Sequence, residues 1–339
     1  MRISISSEIK QGPWGGGNLF IINLKNYLIK NQIEVVHGLD HKDIDVLLYM
    51  DPRTSSETSL VNNTLLKKYL KVYPNTLVVQ RINECDQRKG THFLNNYYLY
   101  TSKLCDSVVF VSKWLQELYV NLGMDIAKTQ TIYGGANPEV FNLSNKEKYQ
   151  SGKLKIVTHH WGGNWNKGFD IYKKLDDLLS NQSFSNNFEF TYIGNLPKNF
   201  FFKNSKHIKP LDGKKLAAEL KTHHIYLTAS LNEPSGNHHI EGAQCGLPTL
   251  FRPSGGITEH CQNYGLSFET ENFETKLLEM KKNIGLYEEK VKMYPLNSDI
   301  MSQQYLTLFK TLLKNKQKNK EKFNLSKSRV LDFLVSKEL

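Results

Sequence analysis

Short apolar runs alternate with amphipathic stretches along nearly the whole chain. Residues 2–6, 33–37, 46–50, 76–82, 108–111 and 130–132 are rich in Val, Ile, Leu and Tyr over strand length, and β-branched and apolar runs this short are read as strands. Between them, 18–30, 59–71, 93–104 and 113–122 repeat apolar residues at the three-to-four spacing of a helix with one buried face. A polar stretch at 142–153 breaks the rhythm and is the best linker. The alternation then restarts, with strands at 154–158, 188–193, 225–229 and 249–251 and helices at 169–179, 214–221 and 240–245. Strands separated by helices predict parallel sheets. The expected fold is therefore α/β, two Rossmann-like domains facing each other across a cleft. The divisions expected are 1–149, 150–299, a terminal helix at 300–313 and a Lys-rich tail at 314–339.

The most informative segment is Glu233-Pro234-Ser235-Gly236-Asn237-His238-His239-Ile240-Glu241, which follows the strand at 225–229. Pro234 and Gly236 prevent a helix from running through the middle, so Glu233 is expected on a strand-to-helix loop. Glu241 should lie about one turn inside a helix that starts near Asn237. Two carboxylates then flank a helix N-terminus, whose free N–H groups attract anions. A second glycine cluster, Gly15-Gly16-Gly17-Asn18, sits between the first strand and first helix, where backbone N–H groups can face a phosphate. It is not a dinucleotide fingerprint, because the third glycine position falls on Phe20.

The string Glu233 to Glu241, followed by Cys245-Gly246-Leu247-Pro248, Ser254-Gly255-Gly256-Ile257 and Glu259, resembles the E-x(7)-E region of retaining glycosyltransferases of GT-B fold, family 4. His159-His160-Trp161-Gly162-Gly163-Asn164-Trp165-Asn166-Lys167-Gly168-Phe169-Asp170 is similar to that family's G-R-x-x-x-x-K-G-x-D stretch. Lys167, Gly168 and Asp170 match, but Gly162 stands where the family has its arginine. Residues 107–115 and 132–141 also follow the family's register, the latter with departures at Tyr133, Gly134, Ala136 and Asn137. The resemblance implies a retaining glycosyltransferase that moves a sugar from a nucleotide-diphosphate sugar to a glycan or lipid-linked acceptor. It assigns Glu233 and Lys167 to catalysis. Glu241, Gly16, Gly17, Ser235, Gly236, Asn237 and His238 are implied to hold the donor, with Lys167 and the N–H groups near Gly236 on its diphosphate. Arg81, where many members have a histidine near the strand end, and Asp86 are candidates for acceptor or donor contact. Arg81, Arg252 or a backbone nest could supply the cation missing at Gly162. No metal and no cofactor are expected: Asp43-Ile44-Asp45 is the sole D-x-D, and it abuts a strand in the first half. A sugar-nucleotide epimerase or hydrolase, or a non-catalytic nucleotide- or glycan-binding relic, are the alternatives.

Charge and composition narrow the partners only in part. Lys and Arg number 44 against 33 acidic residues, a net charge of +11, which permits nucleic acid, anionic membrane or phosphorylated ligands. Some of the excess lies in the run 314–320, which lacks interleaved aromatics, so nucleic acid binding is not expected. Peripheral contact with anionic lipid remains an expectation. With 39% hydrophobic residues and a mean hydropathy of -0.48, the chain reads as soluble and globular. Its first residues read as a strand rather than a signal peptide, giving a cytoplasmic default. Cys85, Cys105, Cys245 and Cys261 show no metal-site spacing and are expected as reduced thiols.

Overall fold

The computed structural model describes residues 1–12 and 14–315, so the Lys-rich tail from 316 onward lies outside the described residues. The chain forms two compact units. One comprises Met1–Lys10, Phe20–Tyr133 and the chain from Asp299; the other comprises Gln11–Leu19 and Gly134–Ser298.

The first unit is built on β1 (Arg2–Ile5), β2 (Glu34–His37), β3 (Val46–Tyr49), β4 (Leu77–Ile82), β5 (Ser107–Phe110) and β6 (Thr129–Thr131). They form one sheet in the order β2-β1-β3-β4-β5-β6, and every pairing is parallel. Both faces are covered, which is why β3 and β4 are buried throughout. Side-chain alternation sends Val78 and Ile82 into one core and Leu77 and Val79 into the other. That second core is closed by Phe20, Ile21, Leu24 and Leu28 of the Gly16–Lys30 helix and by Met301, Tyr305, Leu306 and Phe309 of the terminal Ser298–Lys314 helix.

The second unit contains β7 (Leu154–His160), β8 (Phe188–Gly194), β9 (Lys206–Ile208), β10 (Ile225–Thr228), β11 (Thr249–Phe251) and β12 (Gly265–Ser267). Their order is β12-β11-β10-β7-β8-β9, again parallel throughout. One face carries an aromatic core that includes Phe169, Tyr172, Phe190 and Tyr192. Burying each such side chain contributes about 1.5–3 kcal/mol, and the tyrosine tips find partners, as where Tyr192 donates to Asn195 O at 2.9 Å. The chain leaves β7 toward β8 and β9, then returns to β10 on the other side of β7. Ligands in such sheets bind at the carboxyl ends of the strands flanking that reversal. Here those ends are His159-His160 and the residues after Thr228.

Elements anticipated from the apolar pattern recur with shifted ends. The helix expected at 59–71 begins only at Asn63, because Leu60 N–H donates to Ser6 O and Ser59 bridges Ser7. The Asn62 side chain then accepts from Leu65 N–H and caps the helix. β9, β12 and the Ile257–Cys261, Phe273–Lys282 and Ile284–Val291 helices were not expected. The two strands are three residues each at opposite edges of the sheet, too short for a periodic signal. All four cysteines are free and buried. No described helix is long and apolar enough to cross a membrane.

Candidate active site

Glu233 lies on the loop after β10, and the Asn237–Gln244 helix opens four residues later, as the Pro234 and Gly236 positions predict. Gly236 takes a left-handed φ of 76° before the first helical residue. A Cβ there would fall 2.7 Å from the His238 ring and 2.8 Å from the His239 ring, so only glycine fits. Gly236, the residue at the cap position, has no side chain to cap this helix N-terminus. The loop itself is clamped from the next turn: Gly256 N–H donates to Glu233 O at 2.9 Å, and Asn232 N–H donates to Ser254 Oγ at 2.8 Å. A Cβ on Gly255 would lie 2.3 Å from Glu233 O. The Ser254-Gly255-Gly256 turn is therefore the seat that fixes the Glu233 backbone.

Lys167 reaches the same place from the other strand end. Gly168, at φ 100°, lets its turn lie against Ala229, where a Cβ would fall at 2.6 Å, and Leu231 N–H donates to Asn166 O at 2.8 Å. Lys167 Nζ then donates to Glu233 Oε2 at 2.8 Å, with side-chain exposures of 12% and 9%. The sequence assigned these two groups to different parts of a ligand; in this structure they are direct partners. Their attraction is strong because little water screens it.

Glu241 is buried and held by a relay. His159 Nε2 lies 2.8 Å from Glu241 Oε2, and Tyr226 OH lies 3.0 Å from His159 Nδ1. A carboxylate only accepts, so Nε2 donates to Glu241, while Tyr226 OH also donates to His159 O at 3.3 Å. Tyr226 OH in turn accepts from His159 N–H at 3.0 Å. Sequence reasoning did not single out His159 as a partner of Glu241; its place at the end of a strand next to the reversal point was the available signal.

The remaining candidates divide. Ser235 Oγ is buried without a partner, and Ser235 O receives the proton of His260 Nδ1 at 3.1 Å. Asn237 Nδ2 donates to Gly16 O at 3.4 Å, which joins that candidate to the glycine cluster within the same unit. Gly17 follows in the first helical turn, with open space where its Cβ would be. The His238 ring turns inward, its Nε2 2.9 Å from Thr228 Oγ1 and its ring 4.5 Å from that of His160. The His238 backbone lies in the first turn of the helix. Burial and the neighbouring His160, His239 and Lys167 charges hold His238 well below the usual histidine range.

Two expectations outside this cluster need correction. Arg252 does not replace the missing arginine: it ion-pairs with Asp170 and donates to Ala229 O at 3.3 Å, so it braces the Lys167 turn. Asp86 accepts from Leu94 N–H at 2.9 Å, Asn95 N–H at 3.0 Å and Thr91 Oγ1 at 2.5 Å. Its carboxylate closes its own loop and caps the Leu94–Ser102 helix rather than reaching outward. Arg81 is only 6% exposed and stacks on Phe20 at 4.1 Å. Stacking of that kind contributes about 2 kcal/mol when desolvated, less than the several kcal/mol that an unpaired buried ion costs.

At Gly162 the backbone is not left-handed, and a Cβ would sit 3.9 Å from Lys167 Cε and 3.8 Å from Asn164 Nδ2, ordinary contact. Gly162→Arg is thus accommodated and starts beside Lys167. A charged hydrogen bond to phosphate contributes about 1.5–3 kcal/mol, so we expect this variant to bind a nucleoside diphosphate about 10- to 100-fold more tightly. Calorimetric titration checks this; unchanged affinity would place the diphosphate away from Lys167.

Two parallel six-stranded sheets with the second sheet's reversal point lined by Lys167, Glu233 and Glu241 define the class of fold, GT-B. No family model matches the chain, and no curated protein matches its sequence. Solved structures do match its fold. A glycosyltransferase from Rickettsia africae ESF-5 is 17% identical, covering 93% of this chain and 99% of that one, with a TM-score of 0.66. Sucrose-phosphate synthase from Thermosynechococcus elongatus is 14% identical over 93% of this chain and 100% of that one, with a TM-score of 0.65. HepE from Anabaena, in complex with UDP-glucose, is 12% identical over 92% and 100%, with a TM-score of 0.66.

Proposed function

We propose that this chain is a retaining glycosyltransferase similar to family 4, taking a nucleotide-diphosphate sugar as donor and a glycan or lipid-linked acceptor. The observation that carries the reading is the pairing of Lys167 with Glu233 at 2.8 Å, beside a helix N-terminus with glycine at its cap position, whose helix also bears Glu241. The likeness to HepE, whose structure holds UDP-glucose, favours a UDP-sugar. Cleaving the anomeric C–O bond puts positive charge on the sugar ring and negative charge on the leaving phosphate. Lys167 and the N–H groups from Gly236 to His238 would stabilise the phosphate charge. Glu233 would accept from hydroxyls of the donor sugar, and Glu241 from those of the ribose. The leaving phosphate would take the acceptor's proton on the same face, with no side-chain nucleophile and no metal. A sugar-nucleotide epimerase or hydrolase would use the same donor grip, and donor incubated without acceptor separates it by its products.

The test is to titrate the protein with UDP-glucose and other nucleotide sugars, then to follow nucleoside diphosphate release with an acceptor panel, with and without chelator. Donor binding and acceptor-dependent release insensitive to chelator are expected. A strict requirement for divalent metal would overturn the metal-free route, and binding without any turnover would favour a relic. Within this scheme Glu241→Ala should weaken nucleotide binding about 10- to 100-fold, the range for a lost charged hydrogen bond. His159→Phe should show a smaller loss of the same kind, in KM for donor rather than in kcat, because it removes only the brace.

A further inference from the structure

We infer that the first unit holds an oxyanion site centred on Arg81, and that the acceptor carries a phosphate or carboxylate which engages it. The acceptor half of this statement rests on the glycosyltransferase reading above. Every other arginine among the described residues has a carboxylate partner: Arg2 with Glu34, Arg53 with Asp51, Arg88 with Glu84 and Arg252 with Asp170. Arg81 has none. It is the penultimate residue of β4, and its polar neighbours are the phenol of Tyr305, to which it hydrogen-bonds, and that of Tyr98. Its Nη1 is buried without a hydrogen bond.

Two more buried polar atoms on the Ser298–Lys314 helix lack an anionic partner. Ser302 Oγ is buried without a partner, Tyr305 OH has no partner but the Arg81 guanidinium, and residues three apart lie on one helix face. Tyr305 packs edge-on to Phe20, with ring centroids 5.2 Å apart, and Phe20 is the ring under the Arg81 guanidinium. Phe20 stands in the second turn of a 15-residue helix with no acidic residue in its first turn. The result is a buried cation with an unused Nη1 and nothing anionic to complete it. Stacking on Phe20 fixes the guanidinium plane, and its in-plane N–H fork matches the two oxygens of a carboxylate or phosphate.

The test is thermal unfolding of the full chain with inorganic phosphate and, separately, with glucuronate. Chloride at equal ionic strength serves as the control. The measurement is made in saturating UDP so that the donor site is already filled. The wild-type melting temperature should rise by about 2–4 °C at saturating anion. A rise with phosphate alone assigns the acceptor group as phosphate, and one with glucuronate alone assigns a carboxylate. Arg81→Gln should lose the rise and melt higher than wild type without anion, since an uncompensated buried charge is gone. Tyr305→Phe keeps the charge and the ring stack and should weaken the anion response several-fold, so the inference stays testable if Arg81→Gln fails to fold. The site is refuted if neither anion exceeds chloride, if both variants respond like wild type, or if the response vanishes once UDP is bound. Failure of UDP itself to bind would instead count against the donor reading, leaving the anion response to be judged alone.

Discussion

Glu233→Ala is expected to lower kcat for sugar transfer by about 100- to 1,000-fold, the range seen when a group aimed at a transition state is removed. It should also blur discrimination between donor sugars, because a buried carboxylate rejects sugars that lack its matching hydroxyl. Its second effect is on stability. Lys167 would lose its ion pair while nearly buried, and breaking a buried pair in this way costs about 3–5 kcal/mol. The loss here should fall toward the lower end, since 12% of the Lys167 side chain and 9% of the Glu233 side chain meet solvent. The double variant Lys167→Met, Glu233→Leu replaces both charges and should regain most of that stability while staying inactive. Steady-state kinetics and thermal melts on the three proteins decide it. Wild-type turnover in Glu233→Ala would remove this residue from the chemistry.

Acid should unfold the protein over a narrow range. Burial holds His238 and His239 well below the usual histidine pKa and lowers His260 and His223 to about 4. These groups are neutral when folded and take up protons near pH 6.5 when unfolded. Their contribution is therefore present above about pH 6.5 and is lost as pH falls toward the folded values. Each neutral histidine loses about 1.4 kcal/mol between pH 8 and pH 5.5, or about 6 kcal/mol for the four. That is comparable to the whole stability of a typical domain, about 5–15 kcal/mol. Circular dichroism should show a cooperative transition near pH 5, with uptake of about four protons. A chain still folded at pH 4 would contradict the neutral histidine cluster. The cluster packs around the donor loop: His239 Nε2 lies 3.0 Å from His260 Nδ1, and His260 Nδ1 donates to Ser235 O. Donor binding should weaken before the sheet melts.

Much of the frame was legible because it depends on local chemistry. Apolar runs of three to seven residues bounded by polar or glycine-rich turns mark most of the strands whichever partner they find. The Glu233–Glu241 loop and helix followed from Pro234 and Gly236 alone. Three-residue edge strands such as β9 and β12 carry too few residues to show a period. The Asn63 helix start depended on a distant backbone, Ser6, capturing Leu60.

Chain order alone determined that this protein is an α/β molecule of parallel sheets, with Lys167, Glu233 and Glu241 near strand ends. Period and turn chemistry act over a few residues, so they can be read without the fold. Tertiary structure alone decided who meets whom: Lys167 with Glu233, His159 with Glu241, Arg252 with Asp170, and Arg81 with no carboxylate at all. Those pairings span tens of residues along the chain and depend on side-chain direction at the sheet's edge of reversal. Burial then sets their strength, because a charge or imidazole is perturbed only once water has been removed from around it.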